Sequence, residues 1–499
     1  MNLPFTIKIN FRGGIISPGD LYNILVACTR VGIKNVRFGL RQQLLVPVSV
    51  EKKDLLLTHL QQLDAQYEVD KEEYPNIVSS YPAEDVFINN TWLSEGVYKD
   101  IFDGINHQPK LKINLSDSNQ SFTPMLTGNI NWVAATDAQH YWHLFIRFPK
   151  TNIVYEWTEL VYTNDVPGLS AEVEQLILQN NHLFFDQAAA NGHQLFGLIQ
   201  KQKYITRPAE KPAVLPAFNL PYYEGLNRYN NNKYWLGVYR RDELYSIEFL
   251  KEVCRLCLDT KIGQLCSTPW KTIIVKAIEE KDKDRWSRLL EKYNINMRHA
   301  ANELNFQVED NSSDALALKQ YLLKQLNDED TRTFGLCLGI KTKKKTEVFS
   351  SILVKRKPLF SIFGVELFHL YDILCAKNFN PNERTGFVFS RNNPKFLLGE
   401  QLRQSVLSFH KYRTGLQQAA AATNAPAAVE KKTEKKDEPI YQCRHCLTVY
   451  DVALGEPDNG IKPATKFDDL PLGYTCPLCE APAADFIKTE KALLALQAI

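Results

Sequence analysis

At 499 residues the chain exceeds what one hydrophobic core organises, so two or three domains are expected. Its content of 44% hydrophobic and 23% charged residues is that of globular proteins. A net charge of +2 gives no whole-chain attraction to nucleic acid or to a membrane surface, so neither is expected as a partner. No run approaches the roughly eighteen uninterrupted apolar residues of a membrane-spanning helix. The start, MNLPFTIKINFRGG, has Lys8 inside its apolar stretch and no small-residue cleavage site, so no signal peptide is expected. The protein is read as cytoplasmic. Its ten cysteines then read as metal ligands, redox groups or core residues rather than disulfides, and the sequons at Asn89, Asn119 and Asn311 carry no meaning.

In chain order, the first elements are a strand, an amphipathic helix, a β-rich run QQLLVPVSV and a second helix. The same succession returns from YWLGVYRRDELY onward, with IEFLKEVCRLCL as the helix and KTIIVKAI as the strand. An offset of 229, slipping to 230, pairs Arg12 with Arg241, Cys28 with Cys257 and Asp54 with Asp284. VPGLSAEVEQLIL and IFGVELFHLYDIL read as later counterparts, each opening a helix after a strand region. This is a duplication, sought before any assignment of fold. The expected organisation is a first repeat over 1–205, a connector over 206–233 and a second repeat over 234–414. Residues 415–439 are Ala-rich, then mixed in charge, and read as a flexible linker, with a solvated helical extension as the alternative. A small domain over 440–488 and a tail over 489–499 follow. The fold class is α+β, with the two halves packed as pseudo-twofold partners.

The segment VGIKNVRFGLRQQLLVPVS resembles the ferredoxin-like half of sirohaem-dependent sulfite and nitrite reductases, a family that is also a tandem duplication. The resemblance implies that Arg37, Arg41 and Gln42 fall on that family's basic positions around the sirohaem carboxylates and the anionic substrate. Lys271, in CSTPWKTIIV, stands near the place of Arg41 in the second half. Arginine suits such a role because its planar fork bonds carboxylates in pairs while staying charged. Arg37 and Arg41 read equally well as neighbours on one strand face that reach solvent. The family binds a 4Fe–4S cluster through four cysteines in two motifs. The surroundings of those motifs resemble NIVSSYPAEDVF and KINLSDSNQSFTPMLTGNINW, where Ser79, Ser80, Ser116, Ser118 and Ser121 stand in place of cysteine. In the second repeat NMRHAANELNFQ has no cysteine and FGLCLGIKTKKK has only Cys337. Serine does not replace the soft thiolate that selects such a cluster. No 4Fe–4S cluster is therefore expected, and a bound sirohaem or haem has no support from the sequence. Cys254, Cys257 and Cys266 read as buried core residues on a helix and strand rather than as a metal site.

Near the chain end, YQCRHC and YTCPLC place Cys443, Cys446, Cys476 and Cys479 as two C-x2-C pairs, and such a set holds zinc or iron. The run VYDVALGEPDNGIKPATKFDDLPLGYTCPLC closely resembles rubredoxin, which implies one iron bound by these four thiolates and one-electron transfer. Tyr441, Tyr450, Phe467, Tyr474 and Phe486 would supply the small aromatic core. Leu447 and Glu480 stand where the family commonly has glycine after the second cysteine of each pair, so positive φ there would add strain. Tyr474 replaces the family's usual tryptophan. Residues 440–499 carry five basic against eight acidic side chains, a net of −3, which by subtraction from +2 leaves +5 on the rest. Such opposite signs favour encounter between an acidic carrier and a basic surface.

The resulting expectation is an electron-transfer protein acting on a redox partner protein, with the body as docking or anion-binding platform. The alternatives are an oxidoreductase whose body binds a haem-type cofactor fed by the rubredoxin, and a non-enzymatic tetrapyrrole-handling or regulatory protein. The reading favours a carrier over a catalytic reductase.

Overall fold

The structure is a computed structural model that describes residues 5–489, apart from 88–91, 120–121, 125, 215, 217, 230–231, 344–347, 363–364, 384, 424–439, 447 and 457–458; for 360–367 and 417–423 it describes the backbone alone. The chain divides into two units, Met1–Gln417 and Gln418–Ile499. Among the described residues no helix is long and apolar enough to cross a membrane.

In the first unit, the strand Phe5–Asn10 pairs antiparallel with Gln43–Val48 and with Tyr67–Val69. The helix Pro18–Arg30 begins at Ser17, whose Oγ accepts the Asp20 amide, and it buries Leu21, Ile24, Leu25 and Cys28. The second half repeats this: Lys233–Val238 pairs with Ile273–Glu279, and the helix Ile247–Asp259 buries Leu250, Val253, Cys254 and Cys257. Both ends of the two helices keep the offset of 229. The halves also exchange strands. Ile15–Ile16 pairs with Leu265 and Cys266 in the second half's sheet, while Tyr245 and Ser246 pair with Asn35 and Val36 in the first half's sheet. This reciprocity makes the pair pseudo-twofold, and Cys28, Cys254 and Cys257 meet in one apolar core shared by both halves. Burial pushes the thiols of Cys28 and Cys254 up to about 12, so they behave as small apolar side chains.

A second layer repeats likewise. Val78–Ser79, Ile113–Ser116 and Ile130–Ala134 run parallel and Tyr141–Arg147 joins antiparallel. Phe306–Val308, Leu338–Lys341 and Ile352–Ile362 run parallel and Val365–Ala376 joins antiparallel. VPGLSAEVEQLIL forms the expected helix, Val166–Gln179. IFGVELFHLYDIL does not: Ile362 ends the strand Ile352–Ile362, residues 363–364 lie outside the described ones, and 365–374 lie in the strand Val365–Ala376, where alternate residues Tyr371, Ile373 and Cys375 enter the core. A period of two, in a run rich in β-branched and aromatic residues, overrides the apparent helical period. The helical counterpart is Lys395–Thr423, which starts at the offset of 229 from Val166. It continues into the segment read as a linker, whose remaining residues 424–439 lie outside the described ones.

The second unit is a three-stranded sheet in which Ile440–Cys443 is flanked by Val449–Asp451 and Phe486–Thr489. Tyr441 stacks on Phe467 with ring centres 4.1 Å apart, and Tyr450, Tyr474 and Phe486 surround that pair. This is the aromatic core expected from the sequence.

Candidate metal centre and the cleft of the body

The two C-x2-C pairs sit on loops built alike. The amide of Cys443 donates to Thr448 O and that of Cys476 to Ala481 O, each at 2.8 Å, so each loop closes five residues beyond its first cysteine. The loops bring the Sγ atoms of Cys443, Cys446, Cys476 and Cys479 within 4.8 Å of one another. Cys443 Sγ lies 3.6 Å from Cys479 Sγ, and Cys446 Sγ lies 3.4 Å from Cys476 Sγ. A metal with sulfur bonds of about 2.3 Å needs tetrahedron edges of about 3.8 Å, so the four sulfurs fit one ion without a fifth ligand. Thr448 Oγ1 is 3.0 Å from Cys446 Sγ, and this hydrogen bond pulls the thiol down to about 6, towards the thiolate that binds metal. Cys443 and Cys476 are buried, Cys446 is half-buried and Cys479 is exposed.

Glu480 has φ +60°, the left-handed conformation anticipated for the position after the fourth cysteine. The matching Leu447 lies outside the described residues. Replacing Glu480 with glycine removes the Cβ penalty, so Glu480→Gly is expected to stabilise the unit by about 1 kcal/mol in thermal unfolding followed at the metal absorption band. An unchanged or lowered midpoint would show that the loop carries no such strain.

In the body, the sequence-derived site residues separate. Arg37 is on the strand Asn35–Phe38, whereas Arg41 and Gln42 lie in the turn that follows, closed by Gly39 N to Gln43 O and by Gln42 N to Gly39 O. The turn Thr268–Thr272 has identical bonds, with φ +57° at Gln42 and +58° at Lys271. Lys271 is thus the counterpart of Gln42, one place from Arg41, whose own counterpart is Trp270. The two turns touch: Gln42 Nε2 donates to Ser267 O at 2.8 Å and Ser267 Oγ to Gln42 O at 3.1 Å. Lys271 is buried against Glu243 at 2.7 Å and Asp310 at 3.2 Å. The same Asp310 accepts the Leu40 amide of the other turn. Arg41 is buried and donates to Asn76 O, Ile113 O and Asn114 Oδ1. It also lines a cleft of about 330 Å³ with Lys112, Thr127, Gln307 and Lys341; none of the described lining residues is acidic. On the other side of the pseudo-twofold, Trp270 instead packs in the apolar core and donates to Phe122 O.

The serine-bearing segments do meet, as the resemblance requires: Ser80 N donates to Leu115 O, and Asp117 N to Ser80 Oγ at 2.7 Å. Ser79 Oγ donates to Gly13 O and Ser80 Oγ bonds Tyr98. Ser116 Oγ donates to Asp117 O, Ser118 is half-buried, and Ser121 lies outside the described residues. Cys337 is buried with Sγ 3.2 Å from Phe349 O. Sequence reasoning missed Glu243 and Asp310, for which no local signal exists, and Thr448, whose place two residues after Cys446 was such a signal.

A closed tetrathiolate on two like loops beside an aromatic-packed three-stranded sheet defines a small mononuclear metal domain. The comparisons agree: the profile of the family described as Rubredoxin matches residues 440–486. Rubredoxin 4 of Rhodococcus sp. (strain Q15) is 44% identical over 54 residues, which are 11% of this chain and 90% of that protein. Rubredoxin of Acinetobacter baylyi is 48% identical over 46 residues, 9% of this chain and 85% of the other. By this C-terminal unit the chain belongs to the rubredoxin family. It also matches 31% of the high molecular weight rubredoxin of Moorella thermoacetica, at 40% identity over 15% of this chain. The NirA protein of Mycobacterium tuberculosis shares the fold of the body, with a TM-score of 0.59 over 82% of this chain and 81% of that one, at 14% identity.

Proposed function

We propose that this protein is an electron carrier that passes single electrons to and from a partner protein through Cys443, Cys446, Cys476 and Cys479, its body serving as the docking platform. The observation that carries the reading is the closed set of four sulfurs within 4.8 Å. Iron, when bound, supplies a one-electron couple in nearly the same tetrahedron for both oxidation states. The chain's own residues do the rest. Four ligands leave no position for a substrate, so the site moves electrons and makes no bonds. Tyr450, buried with its hydroxyl on Thr465 O, and Phe467 keep water from the inner side. Exposed Cys479 and Leu478 bring the sulfur shell to the surface, where a partner can approach. Redox titration of the iron-loaded full chain is expected to fit a single one-electron step. A purified protein that holds only zinc after growth in ample iron sinks the reading.

A second reading has support from the cleft that Arg41, Lys112 and Lys341 line together. It is that the body binds an anion, a haem-type carboxylate or a small oxyanion, beside the electron carrier. Titrating sirohaem, haem and sulfite into the full chain separates the two. The second reading expects binding that weakens at least about tenfold in Arg41→Ala, the loss of one charge-assisted contact. Absence of binding, or equal binding by the variant, leaves the body as a platform alone.

A further inference from the structure

The duplication inside the body supplies its own comparison. In the second half, Arg241 forks onto Glu303, with Nε to Oε1 and Nη2 to Oε2 both at 2.8 Å. The ring of Tyr239 stands beside them, its hydroxyl 3.4 Å from Glu303 Oε1. The offset of 229 places Asn10, Arg12 and Tyr74 at the positions of Tyr239, Arg241 and Glu303. The strands that follow, Val78–Ser79 and Phe306–Val308, keep the same relation. The first half has therefore lost both the carboxylate and the aromatic ring that occupy this place in the second.

Arg12 donates from Nη1 to Phe102 O at 2.6 Å and makes no ion pair among the described residues. Asn10 holds the neighbouring strap through Tyr74 O at 2.9 Å, and is smaller than the tyrosine it matches by most of a ring. Together with Tyr67, Glu68, Lys71 and Glu73 these residues line a cavity of about 410 Å³. Glu68 Oε1 accepts the amides of Glu73 and Tyr74, but Oε2 is buried with no hydrogen-bond partner among the described residues. A buried carboxylate oxygen without a donor is costly, and a guanidinium is matched best by a carboxylate.

We propose that this cavity binds a small aromatic carboxylate bearing a hydroxyl or amino donor. The carboxylate takes Arg12 as Glu303 takes Arg241. The ring fills the space where the second half has Tyr239, between Tyr67 and Tyr74, and the donor reaches Glu68 Oε2. The site is a feature of the body alone and stands whether or not the iron reading does.

The test is calorimetric titration of the full-length, iron-loaded protein with 4-hydroxyphenylacetate, alongside acetate, which lacks the ring, and p-cresol, which lacks the carboxylate. One site per chain is expected for 4-hydroxyphenylacetate, with both fragments much weaker. Arg12→Gln should weaken binding at least about tenfold, as loss of a charge-assisted pair does. Tyr74→Glu, which returns the missing carboxylate to Arg12, should do the same with an unchanged circular dichroism spectrum, and Arg241→Gln should have no effect. If Arg12→Gln does not fold, Tyr74→Glu decides alone. No binding at millimolar concentration, equal affinity for p-cresol, or full binding by the folded Arg12 or Tyr74 variant overturns the proposal.

Discussion

Changing any one of Cys443, Cys446, Cys476 or Cys479 to serine is expected to abolish the visible thiolate-to-iron band while the body stays folded. The loss is expected to be complete because three sulfurs and a hydroxyl do not reproduce the soft shell that holds iron. Cys476 gives the sharpest case. It is buried, with its sulfur 3.4 Å from Cys446, so the hydroxyl of Cys476→Ser enters a place with no water to replace the lost metal bond. The small unit has few apolar residues of its own, and below about 70–80 residues a core alone seldom suffices. Metal loss should therefore also unfold residues 440–489, read as loss of their dispersed amide signals. The body has three larger apolar cores of its own and should keep its unfolding midpoint. A variant that keeps a full iron complement would show that the four sulfurs are not the ligand set.

Lys271→Met is expected to destabilise the body by about 3–5 kcal/mol, the cost of removing one partner from a buried pair. The lysine is buried between Glu243 at 2.7 Å and Asp310 at 3.2 Å, and Glu243 is itself buried. Without the cation two carboxylates face each other across the joint between the two turns. Urea unfolding should show this as a lowered midpoint with unchanged slope, and adding Glu243→Gln should return part of the loss. Burial by itself would lower the lysine, but the charges of Glu243 and Asp310 outweigh burial and hold it above the ordinary range. A group raised in the fold contributes stability that is complete below its unfolded value of about 10.5 and disappears as pH rises through the folded one. The parent should thus lose stability above about pH 10.5 more steeply than Lys271→Met. By contrast the exposed pair Lys281 and Glu279 should contribute little, because water screens both ends. A folded Lys271→Met with the parent's midpoint would show that the buried pair does not hold the joint.

The metal centre was almost wholly legible in the sequence. Each thiolate loop closes over five residues, from Cys443 to Thr448 and from Cys476 to Ala481, so local chain geometry is enough to aim the sulfurs. The duplication was legible too, because side chains on the shared core, such as Cys28 and Cys257, preserve the offset. IFGVELFHLYDIL was misread because alternation and helical period look alike in a short apolar run, and only the pairing of its residues 365–374 with the strand Ile352–Ile362 selects the extended form.

By itself, then, the sequence determined what depends on near neighbours: the four-cysteine shell, the aromatic core around Phe467 and the amphipathic helices of both halves. The tertiary structure alone decided what charged residues of the body do. Arg41, read as an anion ligand, reaches carbonyls of Asn76 and Ile113, which lie 35 and 72 residues away, as well as a cleft. Lys271 meets Glu243 and Asp310, and Asp310 in turn holds Leu40 across 270 residues. A charge on a strand or turn carries no mark of its partner in the residues beside it. Its partner is set by which segments the fold packs together, and in a low-dielectric interior that choice fixes whether the charge is a structural tie or is left to face a ligand.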